Sequence, residues 1–427
     1  MKLAGWRYNI WPWPWVLLLV APAAGQTDQP GRHLLTLGAA LQRSLANPVR
    51  TSPEVLAIQA ATAQLEALPS PLSANPEFRL THVDRWDDAS EHEYALRLRT
   101  TNPWLAKAKT RTQGHSVELA RTQLASRKHE ILHHTKVLYF AALFAQENRK
   151  LAEDWKLTTQ RHLEWHEKLL EGGHMTLPDV LEVQLGASEA ARDAREATLD
   201  FQLALNSLLS WIDKLDTTAT RTVLSTPFQE PTENLLSATA ETLARQYMEG
   251  HPLPKAFEGQ NSITGSILDE AEEAKKPWIS FLQAGMSRGQ NSWEGEDWRL
   301  RLGVEIPFFS QKDKEIQVAE ARHAHTRAQL NAHLHEASLQ IKGKHAGVQH
   351  AARHLKQTQG LSEGILKEVL DTLAEDKASD MQTIPPDSKF RLERGVHRIQ
   401  SAILEAQYAQ QEALLGLEYF LPSETLE

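Results

Sequence analysis

His129-Glu130-Ile131-Leu132-His133 spells H-E-x-x-H. On a helix the two histidines stand one turn apart and can hold a zinc ion while the glutamate activates water, the chemistry of a zinc metallopeptidase. His162 and His166 repeat the i,i+4 spacing, as do His350 and His354, and imidazoles so placed can share a metal ion. A catalytic zinc also needs a third protein ligand. Glu153 lies twenty residues beyond His133 with no glycine or proline between them, which on a helix is ~30 Å along the rod. His129 and His133 sit two residues either side of Ile131, about 160° from the apolar seam that Ile131 marks, on a solvated or lumenal face. The motif therefore reads as incidental. The metal candidates reduce to the pairs His129/His133 and His162/His166, and no cofactor is called for.

The elements that carry these residues are unusual. From Leu105 to about Gly172 there is no proline, and Gly114 is the one interior glycine. A helix of that length runs roughly 100 Å. Val117, Leu124, Ile131, Leu138, Ala145 and Ala152 recur every seven residues, a coiled-coil period. Gly172-Gly173 break it, and Leu177-Pro178-Asp179 open a second helix to about Trp211. A matching pair follows, from about Gln311 to Ala374 and from Asp387 to about Leu417, separated by Thr383-Ile-Pro-Pro386. Shorter helices are expected over Leu37–Leu68 and Glu233–Glu249.

Four alternating runs form the second signal. In Trp298-Arg-Leu-Arg-Leu-Gly-Val-Glu-Ile306 one face carries Trp298, Leu300, Leu302, Val304 and Ile306, the other Arg299, Arg301, Gly303 and Glu305. Tyr94, Leu96 and Leu98 oppose Arg97 and Arg99 in the same way, and runs opening at Phe78 and Trp278 complete two hairpins. Runs of ~9–11 residues, apolar on one face and polar on the other, suit strands that cross a membrane. Trp86, Trp104, Trp278, Trp293 and Trp298 mark the run ends, where a lipid-interface girdle belongs.

The order helix, hairpin, long helix, shorter helix occurs twice. Pro76 and Pro277 are offset by 201 residues, Pro103 and Pro307 by 204, and Asp179 and Asp387 by 208, which points to internal duplication. The expected division is residues 1–23 as a signal peptide, 35–215 as a first repeat and 233–421 as a second. The leader reading rests on Lys2 and Arg7, the apolar run from Trp11 to Val20 and Ala21-Pro22-Ala23. Four strands cannot close a barrel, and an open edge is not tolerated in lipid. Three copies supply twelve strands, enough for a pore, and the same arithmetic leaves four copies open.

Bulk composition is compatible with this. Cysteine is absent from the 427 residues, which excludes disulfides and thiolate metal sites. Taking Lys2 and Arg7 from the 46 basic residues leaves 44 against 55 acidic, a net −11, the wrong sign for nucleic acid.

Taken together, "LTLGAALQRSLANP", "EGGHMTLPDVLEVQLGASEA" and "GVEIPFFSQKDKEIQVAEARHAHTRAQL" resemble the TolC-type outer-membrane factor family over about Leu35 to Leu421. The resemblance implies a mainly α fold of long coiled-coil α-barrel helices, with two β-hairpins per chain contributing to a trimeric twelve-stranded outer-membrane β-barrel. It implies a passive duct, not an enzyme, in the outer membrane of a Gram-negative bacterium and reaching into the periplasm. Its partners would be two further copies, outer-membrane lipid, a periplasmic adaptor and an inner-membrane pump of the RND type. It would serve a tripartite efflux pump exporting small molecules or metal cations; the alternative is the outer-membrane channel of a type I protein secretion system. Family members close the periplasmic tip at the helix pair of the second repeat. That makes Asp387 the gate candidate and Asp179 its counterpart. The second break lacks the usual glycine and places Lys389 and Arg391 close behind, so an acidic ring and a salt-bridged tip both stay open. Asp387 after Pro-Pro also suits a helix start.

Overall fold

The computed structural model describes residues 33–68, 72, 74–84, 90–212, 222–289, 297–306, 312–378 and 385–422. The leader lies outside them, as do Trp86, Trp293 and the second helix break. In chain order the elements are β1 (His33–Leu35), α1 (Leu37–Ala46), α2 (Pro48–Glu66), β2 (Glu77–Asp84), β3 (Ser90–Arg99), α3 (Pro103–Glu171) and α4 (Leu177–Ile212). Then follow β4 (Thr222–Leu224), α5 (Glu233–Ser237), α6 (Ala240–Gly250), α7 (Pro252–Glu273), β5 (Trp278–Gly289), β6 (Asp297–Glu305), α8 (Lys312–Ala378) and α9 (Pro386–Glu418).

The expected long helices are present, α3 with 69 residues and α8 with 67. Asn102 starts α3: its side-chain oxygen accepts from the backbone N–H groups of Trp104 and Leu105 at 3.0 and 3.2 Å, and Pro103 takes the first turn, where its missing N–H is harmless. The other end of α3 closes on Gly173, whose φ of 73° only glycine adopts readily. The N–H of His174 bonds the Leu169 carbonyl at 2.8 Å and that of Gly173 the Leu170 carbonyl at 3.0 Å, a Schellman stop.

Two expected helices come out differently. Leu37–Leu68 is divided at Asn47, because Pro48 cannot donate to the preceding turn and starts a new helix instead. The helix expected over Glu233–Glu249 is two helices, α5 and α6, each begun by a threonine side chain, and α7 follows without having been anticipated. Its start is hidden in the sequence by Pro252 and Pro254. The cap is His251, whose side chain accepts from the Leu253 N–H at 3.1 Å.

Two compact units share the chain. The first comprises residues up to Asn47, Glu130–Ala238 and Gly343–Tyr419; the second comprises Pro48–His129, Thr239–Lys342 and the residues from Phe420. The first unit packs helices on a heptad seam. In α4 the buried positions Val180, Ala187, Ala194, Phe201 and Leu208 recur every seven residues, with Val183, Ala190 and Ala197 between them. Its core gathers Leu35, Leu37, Tyr139, Phe140, Leu143, Leu208, Ile212, Leu224 and Leu415. β1 and β4 form a short parallel pair there. The side chain of Gln146 serves as a third strand, accepting from the Leu224 N–H at 2.9 Å and donating to the Leu224 carbonyl at 3.1 Å. Tyr139 donates to the Leu35 carbonyl and accepts from the Thr226 N–H, both at 3.0 Å. Three-residue strands carry no readable alternation, and this pair was not expected.

The second unit holds the four-stranded sheet, in the order β2-β3-β5-β6 and antiparallel throughout. The two hairpins join through β3 and β5, which leaves β2 and β6 as the edges. A bulge between Ile279 and Phe281 is the one register shift.

Candidate functional site

The sheet is the candidate site, and its two faces follow from the register. On one face the cross-strand rungs are Leu98–Leu282–Leu302, Phe78–Leu96–Ala284–Leu300 and Leu80–Tyr94–Met286–Trp298, with Ile279–Val304 beyond the bulge. Four apolar rungs spaced ~6.8 Å cover about 20 Å along the strands. The band ends at the rung His82–His92–Arg288, where the rings of His82 and His92 lie 4.5 Å apart. This apolar face is open: Phe78 is 70% exposed, Leu300 78% and Trp298 74%.

The opposite face is polar, yet Ala95, Gln283 and Ser287 in its middle are buried. Charged side chains stand on the neighbouring positions. Glu77 accepts from Arg79 and from Arg99, each at 2.9 Å, and Arg301 approaches Glu93 at 3.6 Å. The guanidinium of Arg97 lies 4.0 Å over the Phe281 ring, and that ring occupies the space a side chain at Gly303 would need. Arg79, Arg99 and Arg301 stay about half exposed on this face, so both faces are open, and it is the row of exposed leucines that departs from the rule for proteins in water.

The tryptophans take the sheet's ends. Trp278 opens β5 opposite Glu305, and Trp298 stands near the start of β6 at the other end. Trp104, half exposed in the first turn of α3, has the Lys276 ammonium 5.4 Å from its ring.

The histidines are not where the sequence put them. His129 is 6% exposed, not solvated, with its ring edge-on to His251 at 4.4 Å. His133 packs on Tyr419 at 4.9 Å. Burial raises the pKa of Tyr419, and the charge of Glu130 adds to the rise. His162 and His166 are buried as well. His162 Nε2 meets Glu393 of α9 at 2.6 Å, while His166 Nδ1 bonds the His162 carbonyl at 2.7 Å. The face argument failed because α3 is covered on more than its heptad seam. Nothing in the local sequence points to a partner 231 residues away. Among the described residues, no three His, Asp or Glu side chains converge as a metal ion requires.

Of the tip candidates, Asp179 has a defined place. Its carboxylate accepts from the Thr176 N–H at 3.2 Å and from the Thr176 hydroxyl, the return half of a capping box at the start of α4. Asp387 occupies the second position of α9, and its side chain lies outside the description. Lys389 is half-buried and Arg391 exposed on the same helix.

The backbone has close counterparts among solved structures. A membrane protein from Pseudomonas aeruginosa superposes with a TM-score of 0.68 at 17% identity, covering 90% of both chains. The fold is that of a TolC-type outer-membrane channel. The CmeC outer-membrane channel of Campylobacter jejuni gives 0.67 at 11% identity, covering 90% of this chain and 85% of its own. The outer-membrane protein VceC of Vibrio cholerae gives 0.66 at 15%, covering 90% and 95%. No protein-family model matches the sequence, and no curated protein matches it. At these identities the TolC-type fold is carried by pattern: heptads in the helices and parity in the strands.

Proposed function

We propose that this chain is the outer-membrane channel of a tripartite export system, a passive duct for small molecules that performs no bond chemistry. One observation carries the reading: the sheet leaves a whole apolar face exposed, gathers its charges on the other and ends in two edge strands, β2 and β6. In lipid the outward face is solvated by acyl chains, and the edges are satisfied when β2 of one copy pairs with β6 of the next. Three copies close a twelve-stranded barrel. Trp278, Trp298 and Trp104 then serve as interface anchors. Among the described residues no helix is long and apolar enough to cross a membrane.

The helices support the same assembly. Leu177, Leu181 and Leu185 form an exposed stripe along α4, between 52% and 62% accessible, as expected of a helix that packs against a neighbouring copy. In this reading the duct spans the periplasm, and the Gly172–Gly173 turn and the start of α9 form the tip where an adaptor docks, with an RND-type pump behind it. Asp387, Lys389 and Arg391 stand at that tip, and Asp179 is committed to capping. The two matched halves, 35–215 and 233–421, are read as a duplication. Fractionation of expressing Gram-negative cells tests the proposal. The chain should pellet with outer membranes and migrate as a trimer before heating; a soluble periplasmic monomer would refute it.

A further inference from the structure

The polar face of the sheet is not uniformly polar, and resting on the duct reading above, its charge order assigns a preference for cargo. Counting from the strand ends that lead into the helices, Glu305 closes the polar row of β6, and the rungs inward from it are Arg99–Phe281–Gly303, then Glu77–Arg97–Gln283–Arg301, then Arg79–Ala95–Gly285–Arg299. These three rungs hold five arginines and one carboxylate, a net +4 per chain. On the next rung, Thr81–Glu93–Ser287, the charge is the carboxylate of Glu93.

Two carboxylates meet the belt: Glu77 within it, and Glu93, which approaches Arg301 at 3.6 Å. Glu77 is shared between Arg79 and Arg99. Arg97 has the Phe281 ring beneath it, and its Nε is buried without a hydrogen-bond partner. Ala95 and Gly285, between Arg79 and Arg299, are buried, while both arginines of the rung are exposed. Arginine stays charged at any physiological pH and binds phosphate or carboxylate oxygens two at a time.

We infer that the barrel lumen binds and favours anionic solutes carrying phosphate, sulfate or carboxylate groups, not metal cations. Closing three copies places a net charge of +12 on a belt about 14 Å tall. Twelve strands ~4.8 Å apart and tilted about 40° close at a backbone radius of roughly 12 Å. Inward-reaching guanidinium groups then lie within about one Debye length, ~8 Å at physiological salt, of the axis, so bulk screening does not erase the field. The carboxylate of Glu93, on the rung beyond the belt, favours release past it.

Planar-bilayer recording of the purified full-length protein under a tenfold KCl gradient tests this, with inorganic tripolyphosphate as the probe. Wild-type channels should be anion-selective and blocked by tripolyphosphate. In the triple variant Arg97→Gln, Arg299→Gln, Arg301→Gln the reversal potential should move toward cations and the half-blocking concentration should rise about tenfold or more. The same three positions as lysine should retain block. Conducting wild-type channels that are cation-selective and insensitive to tripolyphosphate overturn the inference and leave the duct standing, whether or not the glutamine variant folds. Unchanged block in a conducting glutamine variant does the same. Failure of every form to conduct overturns the duct reading and the inference with it.

Discussion

Leu96 sits in the middle of the apolar face, on a rung with Phe78, Ala284 and Leu300, and is 45% exposed. Leu96→Arg separates a lipid-facing sheet from a water-facing one. On a solvated strand an exposed leucine-to-arginine change alters stability by no more than about 0.5 kcal/mol. At the midplane of a bilayer an outward arginine on a β-barrel costs roughly 2–4 kcal/mol. Every copy carries the change, so the closed trimer loses roughly 6–12 kcal/mol. Guanidinium unfolding of the protein refolded into lipid vesicles, followed by tryptophan fluorescence at fixed protein concentration, measures it. Thr81→Arg is the control, because Thr81 lies on the polar face beside Glu93 and should be nearly neutral. If Leu96→Arg shifts the unfolding free energy by less than about 0.5 kcal/mol per chain, the apolar face does not meet lipid.

Three further outcomes are expected. Lys136 and Glu418 form a buried pair at 2.8 Å, with 13% and 8% of their side chains accessible. Lys136→Met should therefore cost roughly 3–5 kcal/mol in thermal or chemical unfolding, and adding Glu418→Met should recover most of it. Asp179→Ala removes the return half of the cap on α4 and should cost about 1 kcal/mol in the same measurement, with Asp179→Glu milder. His397 lies parallel to Trp155 at 5.0 Å, and burial lowers its pKa against the opposing pull of Asp193. The unfolded chain then takes up this proton first, so the stability that His397 contributes is whole above the unfolded value of ~6.5 and declines as pH falls below it. His397→Phe keeps the stack and should flatten part of that slope; an unchanged slope would exclude His397 as a source.

The sequence made the large features legible because they rest on long repeats of simple physics. A proline-free run of heptads can only be a long helix, and parity sorts leucine from arginine in each strand wherever its partner lies. Parity cannot say which strands are neighbours, so the joining of the two hairpins through β3 and β5, which gathers Arg97, Arg299 and Arg301 onto one face, appears only in three dimensions. The histidines were misplaced for a related reason. A helical wheel marks the strongest apolar stripe of α3, but Glu393 and His251 arrive from distant segments and cover the remainder. Pro252 and Pro254 disguised α7, since proline marks a helix start as readily as a break.

Twelve strands closed from three identical chains is the claim on which the rest depends, and it is open to a direct measurement. The chain has no cysteine, so introduced pairs report alone. Leu80→Cys on β2 is combined in turn with Leu300→Cys, Leu302→Cys or Val304→Cys on β6. Within one chain three strand spacings, ~14 Å, separate these edges, far beyond the ~7 Å between Cα atoms that a disulfide spans. Oxidation in membranes should convert at least one pair into a covalently closed trimer. Monomers from every pair, or open ladders running past three, would contradict the account.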